Sequence, residues 1–428
     1  MTIQTHPSPA TMGAQDVTQR PLWLWCLFPA ITMSLGWGLR GFIGGGPLGA
    51  MIPGALVALA LCLLLDRDHD DAGVIAAFGA VGVGFGGQMT YGQTIGFLFQ
   101  PGTLLWGLAG LTLKGAIWGF LAAAVIALAL TRHRHERKTI LLAFAAMVAA
   151  TYAGWKLINE PKLIYFSNPI DRPRPELWAG LLSGALALLA VLRSRVSWRF
   201  AAYGLIGGGL GFGFGGWLQY LGRTYADTPW IGYWKVMELF FGFLFGLALG
   251  ACAWKLRADL QGEPVSPMRM TLPVTIWRPL LLGAILVAAA LYAAETLPSR
   301  LRYTILGGVL MGIALVRPGA GWQIAVTVTY GAFSYDFIEY QWSSLNHTAL
   351  WTFVVATTTA VAGIVARWPR TFPMFLLLLW TANANSYAKS FIPVVHWNGH
   401  TLTEIAFTLM GAAATWMAYR IHNPPSRS

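Results

Sequence analysis

Charge is scarce in this chain. Asp, Glu, Lys and Arg make up 11% of its 428 residues, where a soluble domain carries about 25%. So few charges do not coat a soluble surface of this size. Cysteine is scarcer still. Cys26, Cys62 and Cys252 each lie inside an apolar run, and none forms a CxxC pair. A disulfide framework and a cysteine zinc knuckle are therefore excluded, and the thiols read as buried and inert. Acidic residues number 17 against 29 basic ones, a net charge of +12. The basic residues are scattered among short loops and form no stripe, which argues against a nucleic-acid partner. Residues 1–20 lack the pattern of a cleavable leader. They are polar, with Pro7, Pro9 and the single basic residue Arg20, so the apolar run that follows is expected to stay as a first helix. Nucleotide signatures are missing too. The glycine strings sit within apolar runs and no GK[ST] ending follows them.

What fills the chain instead is apolar sequence, 56% of residues, at a mean hydropathy of +0.56. Runs of about 17–25 residues suffice to cross a bilayer as helices. Fourteen such spans are predicted, at 22–40, 46–65, 73–97, 103–130, 139–157, 176–193, 200–221, 231–255, 276–294, 301–316, 320–337, 347–366, 371–388 and 401–420. Their length and lack of strict polar–apolar alternation favour helices over strands. The expected fold class is an all-α polytopic integral membrane protein. One transmembrane domain, 21–421, lies between tails at 1–20 and 422–428. Arg132, Arg134, Arg137, Lys138, Arg193, Arg195, Arg199, Lys255, Arg257, Arg317, Arg367, Arg370 and Arg420 fall on one side. That side is expected to be cytoplasmic. The loop with Asp66, Asp68, Asp70 and Asp71 dissents, but acidic residues weigh little in this rule. Both termini then face the cytoplasm, in a membrane of the bacterial inner type. The lipid bilayer is the partner that the composition demands, and an oligomer remains open.

An internal parallel repeat is expected over about 73–130 and 200–255. Gly82-Val83-Gly84-Phe85-Gly86-Gly87-Gln88-Met89-Thr90-Tyr91 resembles Gly211-Phe212-Gly213-Phe214-Gly215-Gly216-Trp217-Leu218-Gln219-Tyr220. The spans that follow share Gly119-Phe120-Leu121 and Gly242-Phe243-Leu244. Four spans separate the copies, so they run in the same direction, as in several transporter architectures. The glycines read first as close helix packing and second as breaks that free backbone groups for a ligand.

Charges embedded in apolar spans are costly and tend to be functional. Lys114 lies deep in the fourth span and needs a partner on another helix or a wet cavity. Gln88, Thr90, Tyr91 and Gln93, in the span before it, are its expected neighbours. Lys235 and Glu238 stand one turn apart, where they either serve a ligand or neutralise each other. Arg40 ends the first span among glycines, as an anchor at the interface or a substrate contact. The longest outer connection carries Lys156, Glu160, Asp171, Arg172, Arg174 and Glu176, stiffened by prolines. Gln219, Tyr220 and Arg223 close the second glycine-rich span. Asp336 and Glu339 share a helical face, which suits proton or cation handling. Asn385, Lys389, Trp397, His400 and Glu404 cluster between the last two spans. His396, His400 and Glu404 are spaced like a metal ladder, but Gly399 upsets the register, so no metal and no cofactor are expected.

Two functions fit. One is a secondary transporter of a small polar solute, a sugar, sugar acid or organic anion, bound near the outer face. Its substrate contacts are Arg40, Gln88, Tyr91, Gln93, Lys114, Lys156, Glu160, Arg172, Arg174, Gln219, Tyr220, Arg223, Lys235, Glu238, Asn385, Lys389, Trp397, His400 and Glu404. The other is a membrane-embedded enzyme acting on a glycoconjugate or lipid-linked sugar. Its acid and base would come from Asp171, Glu176, Asp336 and Glu339. An inward polar path beneath Lys114 and Gln88 favours transport. A closed inner floor, with two carboxylates in one pocket, favours catalysis.

Overall fold

The computed structural model describes residues 17–40, 46–89, 91–167, 174–225, 232–261, 302–331, 334, 346–391 and 399–423. Among these residues every regular element is a helix. In chain order they are α1 (Leu22–Arg40), α2 (Gly46–Leu64), α3 (His69–Gly86), α4 (Gly92–Gly96), α5 (Leu104–Leu130) and α6 (Arg137–Gly154). Then come α7 (Trp178–Leu192), α8 (Arg195–Tyr225), α9 (Tyr233–Lys255), α10 (Arg257–Gln261), α11 (Arg302–Val316) and α12 (Gly319–Trp322). The last three are α13 (His347–Arg367), α14 (Thr371–Phe391) and α15 (Gly399–His422). Among the described residues, five stretches are long and apolar enough to cross a membrane: α1, α2, α5, α9 and Arg137–Asn159, which is α6 with the wide turn that follows it. Shorter apolar helices lie at Trp178–Leu192, Tyr303–Val316, Trp351–Arg367 and Thr371–Ala384. The fold is therefore of the helical, multi-pass membrane type.

Six helices close a ring. α1 packs on α2, α2 on α3, α3 on α5, α5 on α8, α8 on α9, and α9 returns to α1. Glycine sets how tightly it closes. Where α5 crosses α8, Gly115 and Gly119 face Gly208 and Gly204 backbone to backbone. On the far side, Gly242, Gly246 and Gly250 of α9 lie against Ser34, Pro29 and Trp25 of α1. Without a hydrophobic force between helices in lipid, such close approach is what van der Waals packing requires. Outside the ring, α7 packs on α5, α11 and α12 on α3, and α14 and α15 on α1.

The third predicted span, 73–97, is not one helix. It stops at Gly86 and resumes as the five-residue α4. The cause is local. The indole of Trp118 occupies the place where a side chain at Gly86 would stand, and its Nε1 donates to the Val83 carbonyl at 2.7 Å. Gln88 then turns back, with Nε2 donating to the Phe85 carbonyl at 3.3 Å. The Val83 carbonyl is thus satisfied by a side chain and that of Phe85 also takes the Gln88 amide, at 3.1 Å, the condition for broken helices within a membrane. The second glycine string behaves otherwise, since α8 runs unbroken from Arg195 to Tyr225. The two strings are alike in sequence and unlike in backbone course. The fifth predicted span ends in a wide turn, Trp155–Asn159. Asn159 then reaches across, its Oδ1 accepting from the Ala179 and Gly180 amides at 3.0 and 3.2 Å to cap α7. The ninth predicted span, 276–294, lies outside the described residues.

At the end of the ring opposite Arg40, fully buried Asp71 gathers Arg67 at 3.3 Å, Arg132, and His133 at 3.5 Å. Arg67 also donates to the carbonyls of Leu130 and Leu260, at 3.3 and 2.6 Å. Burial pushes the Asp71 carboxyl up. His133 and the two guanidiniums outweigh it, and hold the group below the usual carboxylate range. This clasp joins α3 to the ends of α5 and α10.

Candidate functional site

The first polar centre sits inside the ring on an aromatic floor. Trp37 of α1, Trp118 of α5, Phe212 of α8 and Phe241 of α9 meet there. Trp37 lies 4.7 Å from Trp118 and 4.5 Å from Phe241, and Phe212 stacks on Phe241 at 3.8 Å. Arg40, one turn beyond Trp37, is buried above this floor. Its guanidinium carbon lies 5.1 Å from the Trp37 and Tyr91 rings and 5.4 Å from the Trp118 ring. Such contacts offset part of the cost of burying a cation.

A relay of hydrogen bonds leads on from Arg40. Its Nη1 donates to Tyr91 Oη at 2.6 Å, and Tyr91 Oη donates to Glu238 Oε1 at 3.2 Å. Trp234 Nε1 donates to the same oxygen at 3.2 Å. Lys235 Nζ pairs with Glu238 Oε2 at 2.6 Å and donates to the Gly38 carbonyl at 2.9 Å. Tyr91 reaches this centre because the chain breaks between α3 and α4. Lys235 and Glu238 neutralise each other, as their spacing allows, and remain tied to Arg40 through one phenol.

The second centre joins α4, α5 and the start of α7. Lys114 Nζ pairs with Glu176 Oε1 at 2.6 Å, both side chains being 1% exposed. It also donates to Thr94 Oγ1 at 2.8 Å. Glu176 accepts from the Phe166 amide and Ser167 Oγ, each at 3.1 Å. Lys114 therefore finds a carboxylate close to another helix, and of its expected neighbours Thr90 lies outside the described residues. Gln88 faces Thr304 on α11 at 3.0 Å, while Tyr91 serves Arg40.

Other sequence candidates lie elsewhere. Lys156 and Glu160 form a surface pair at 2.5 Å, about half exposed. Arg174 is exposed, its carbonyl accepting from Tyr165. Arg223 stacks over Phe99 at 4.3 Å, and Tyr220 lies beside the same ring. Gln93 is half-buried and Gln219 fully buried. Glu404 is half-buried on α15. Asn385 and Lys389 belong to α14 and His400 to α15. Asp171, Arg172, Asp336, Glu339 and Trp397 lie outside the described residues.

Compared with protein-family models, curated proteins and solved structures, the chain finds no match. Chemistry must therefore be read from the two centres alone. Both are acid–base pairs, and each carboxylate is already engaged by a lysine. Trp118, Ser167, Trp234 and Thr94 went unnoticed in the sequence. Trp234 stands four before Glu238 on α9, a spacing that places them on one helical face. Thr94 stands two turns after Gln88 if the third span is read as one helix, and the break hid its true position.

Proposed function

We propose that the chain is a secondary transporter of a small polar solute, such as a sugar, sugar acid or organic anion. The observation that carries this reading is the interrupted helix at the charged centre. Discontinuous helices beside buried charges are a recurring way of building a solute site within a membrane. Here the break between α3 and α4 delivers Tyr91 between Arg40 and Glu238. Glu238 is the coupling carboxylate in this reading. Its protonation would release Lys235 and weaken the relay to Arg40, and that gives solute and proton a shared element.

The reading includes fourteen spans, both termini in the cytoplasm and a cell membrane of the bacterial inner type. The site then lies toward the outer face, because α1 ends there with Arg40 and α9 begins there. Toward the other face the α5 wall of the ring is dry. From Ile117 to Leu130, α5 is lined with apolar, buried residues, with the Trp118 indole N–H as its single side-chain donor. That corresponds to a state closed to the cytoplasm.

The closed floor also favours the second reading, a membrane-embedded enzyme that takes a glycoconjugate from outside. Against it, Glu176 and Glu238 belong to separate centres, each neutralised by its own lysine. Sealed proteoliposomes offered a panel of labelled sugars, sugar acids and organic anions separate the two. The expected outcome is uptake of an unmodified solute. Tyr91→Phe, which cuts the relay, should lower affinity about tenfold, the worth of one hydrogen bond to a charged group. A panel member altered chemically in detergent, with none accumulating in liposomes, would overturn transport in favour of catalysis.

A further inference from the structure

Among the described residues, several buried polar groups around the first centre end without a partner. Arg40 is 5% exposed, yet its Nε finds no acceptor. Trp37 Nε1, one turn back on α1, finds none either. Gln219 is fully buried and neither atom of its amide is bonded. Native interiors leave few such groups, because each has given up its solvation without a replacement. The ion pairs add to the account. Among the described residues no carboxylate lies within ion-pair distance of Arg40. Glu238 reaches it only through Tyr91, because its two oxygens are engaged by Lys235, Trp234 and Tyr91.

Gln219 belongs to the same region. Along α8, Gly215 lies on Met237 and Gly222 on Tyr233, which brackets the height of Trp234 on α9. One turn before Gln219, Gly216 lies on Leu111 of α5. Gln219 therefore stands between α5 and α9, two turns beyond the floor residue Phe212.

We propose that Arg40, Trp37 and Gln219 form the anion end of the solute site, and that the solute is a small monocarboxylate. This rests on the transport reading and narrows its substrate class. Tyr91 holds Nη1 of Arg40 and leaves the Nε edge of the planar fork to a carboxylate oxygen. The Trp37 indole and the Gln219 amide supply further donors. A single guanidinium without a direct counter-charge matches one negative charge. The Trp37, Tyr91 and Trp118 rings beside it suit a solute with an apolar or C–H-rich face.

The test uses the full-length protein purified in detergent, with equilibrium binding and thermal unfolding. The probes are glucuronate, benzoate and lactate, beside glucose, benzamide, lactamide and inorganic phosphate. At least one carboxylate is expected to bind and raise the melting temperature. Its neutral counterpart should bind about ten- to hundredfold more weakly, the loss of a charge-assisted hydrogen bond. Gln219→Leu removes an unsatisfied amide, so the unliganded variant should melt no lower than wild type while binding falls about tenfold. Arg40→Lys, which keeps the charge and loses the fork, should weaken binding as well. Binding by no carboxylate, equal binding of neutral counterparts, tighter binding of phosphate, or unchanged binding by Gln219→Leu would each overturn the proposal. Uptake of neutral sugars without carboxylate binding would overturn it and leave transport standing. Carboxylate binding without uptake would do the reverse.

Discussion

At the scale of residues, Lys114 shows how a buried charge is interpreted by its partner. Alone in an apolar span it reads as a ligand for solute. Paired with Glu176 at 2.6 Å and with Thr94, it reads first as a clamp between α5 and the start of α7. Removing one member of such a pair strands the other, at a cost of about 3–5 kcal/mol. Lys114→Ala is therefore expected to lose much of its thermal stability in detergent, and Lys114→Met with Glu176→Gln to recover most of it. Equal melting of the single and double variants would contradict the clamp. The sequence made the presence of these charges legible, because charge is rare inside apolar runs. Lys235 and Glu238 were legible as a pair from their spacing. The partner of Lys114 was not, since Glu176 lies 62 residues further on, at the end of a proline-stiffened polar connection. Arg40 was legible as an exception, but its aromatic surroundings come from three helices and carry no local signal.

At the scale of elements, the apolar runs predicted most helices to within a few residues, as α1, α2, α5 and α9 illustrate. A break was the second reading of the glycine strings, but its place after Gly86 was not legible, because it depends on Trp118, a residue on a different helix, donating to the Val83 carbonyl. The glycine strings announced close packing but not where it occurs. The α5–α8 crossing tests that packing. A side chain at Gly119 would run into the Gly204 backbone, whereas one at Gly96 meets nothing within 4 Å. Gly119→Ala is expected to destabilise by about 1–3 kcal/mol through overpacking. Gly96→Ala should leave the melting temperature nearly unchanged. A neutral Gly119→Ala would mean that the crossing relaxes freely. The Asp71 clasp gives a pH test of the opposite end. Its carboxyl is depressed in the folded chain, so its stabilisation is full above the unfolded value of about 3.9 and is lost as pH falls through the folded one. Below about pH 4 the wild type should lose melting temperature faster than Asp71→Asn, which is expected to start lower at neutral pH. Parallel acid limbs would remove Asp71 from the account.

At the scale of the whole molecule, the six-helix ring makes one physical statement. Its Arg40 end holds buried paired charge, four aromatic residues fill its middle, the α5 wall beyond them is apolar, and the Asp71 clasp closes the far end. Transport requires that middle to open toward the cytoplasm at some point in the cycle, whereas catalysis at the outer face does not. Ser34 lies one turn of α1 inward of Trp37, 2% exposed, with Oγ donating to the Leu239 carbonyl at 2.8 Å. The most direct measurement replaces it with cysteine in a chain otherwise free of cysteine. Inside-out vesicles are then exposed to a membrane-impermeant maleimide, with and without a transported solute. Alternating access predicts labelling from the cytoplasmic side at a rate that changes with solute. No labelling under any condition, in vesicles whose protein still binds solute from outside, would contradict transport through the ring.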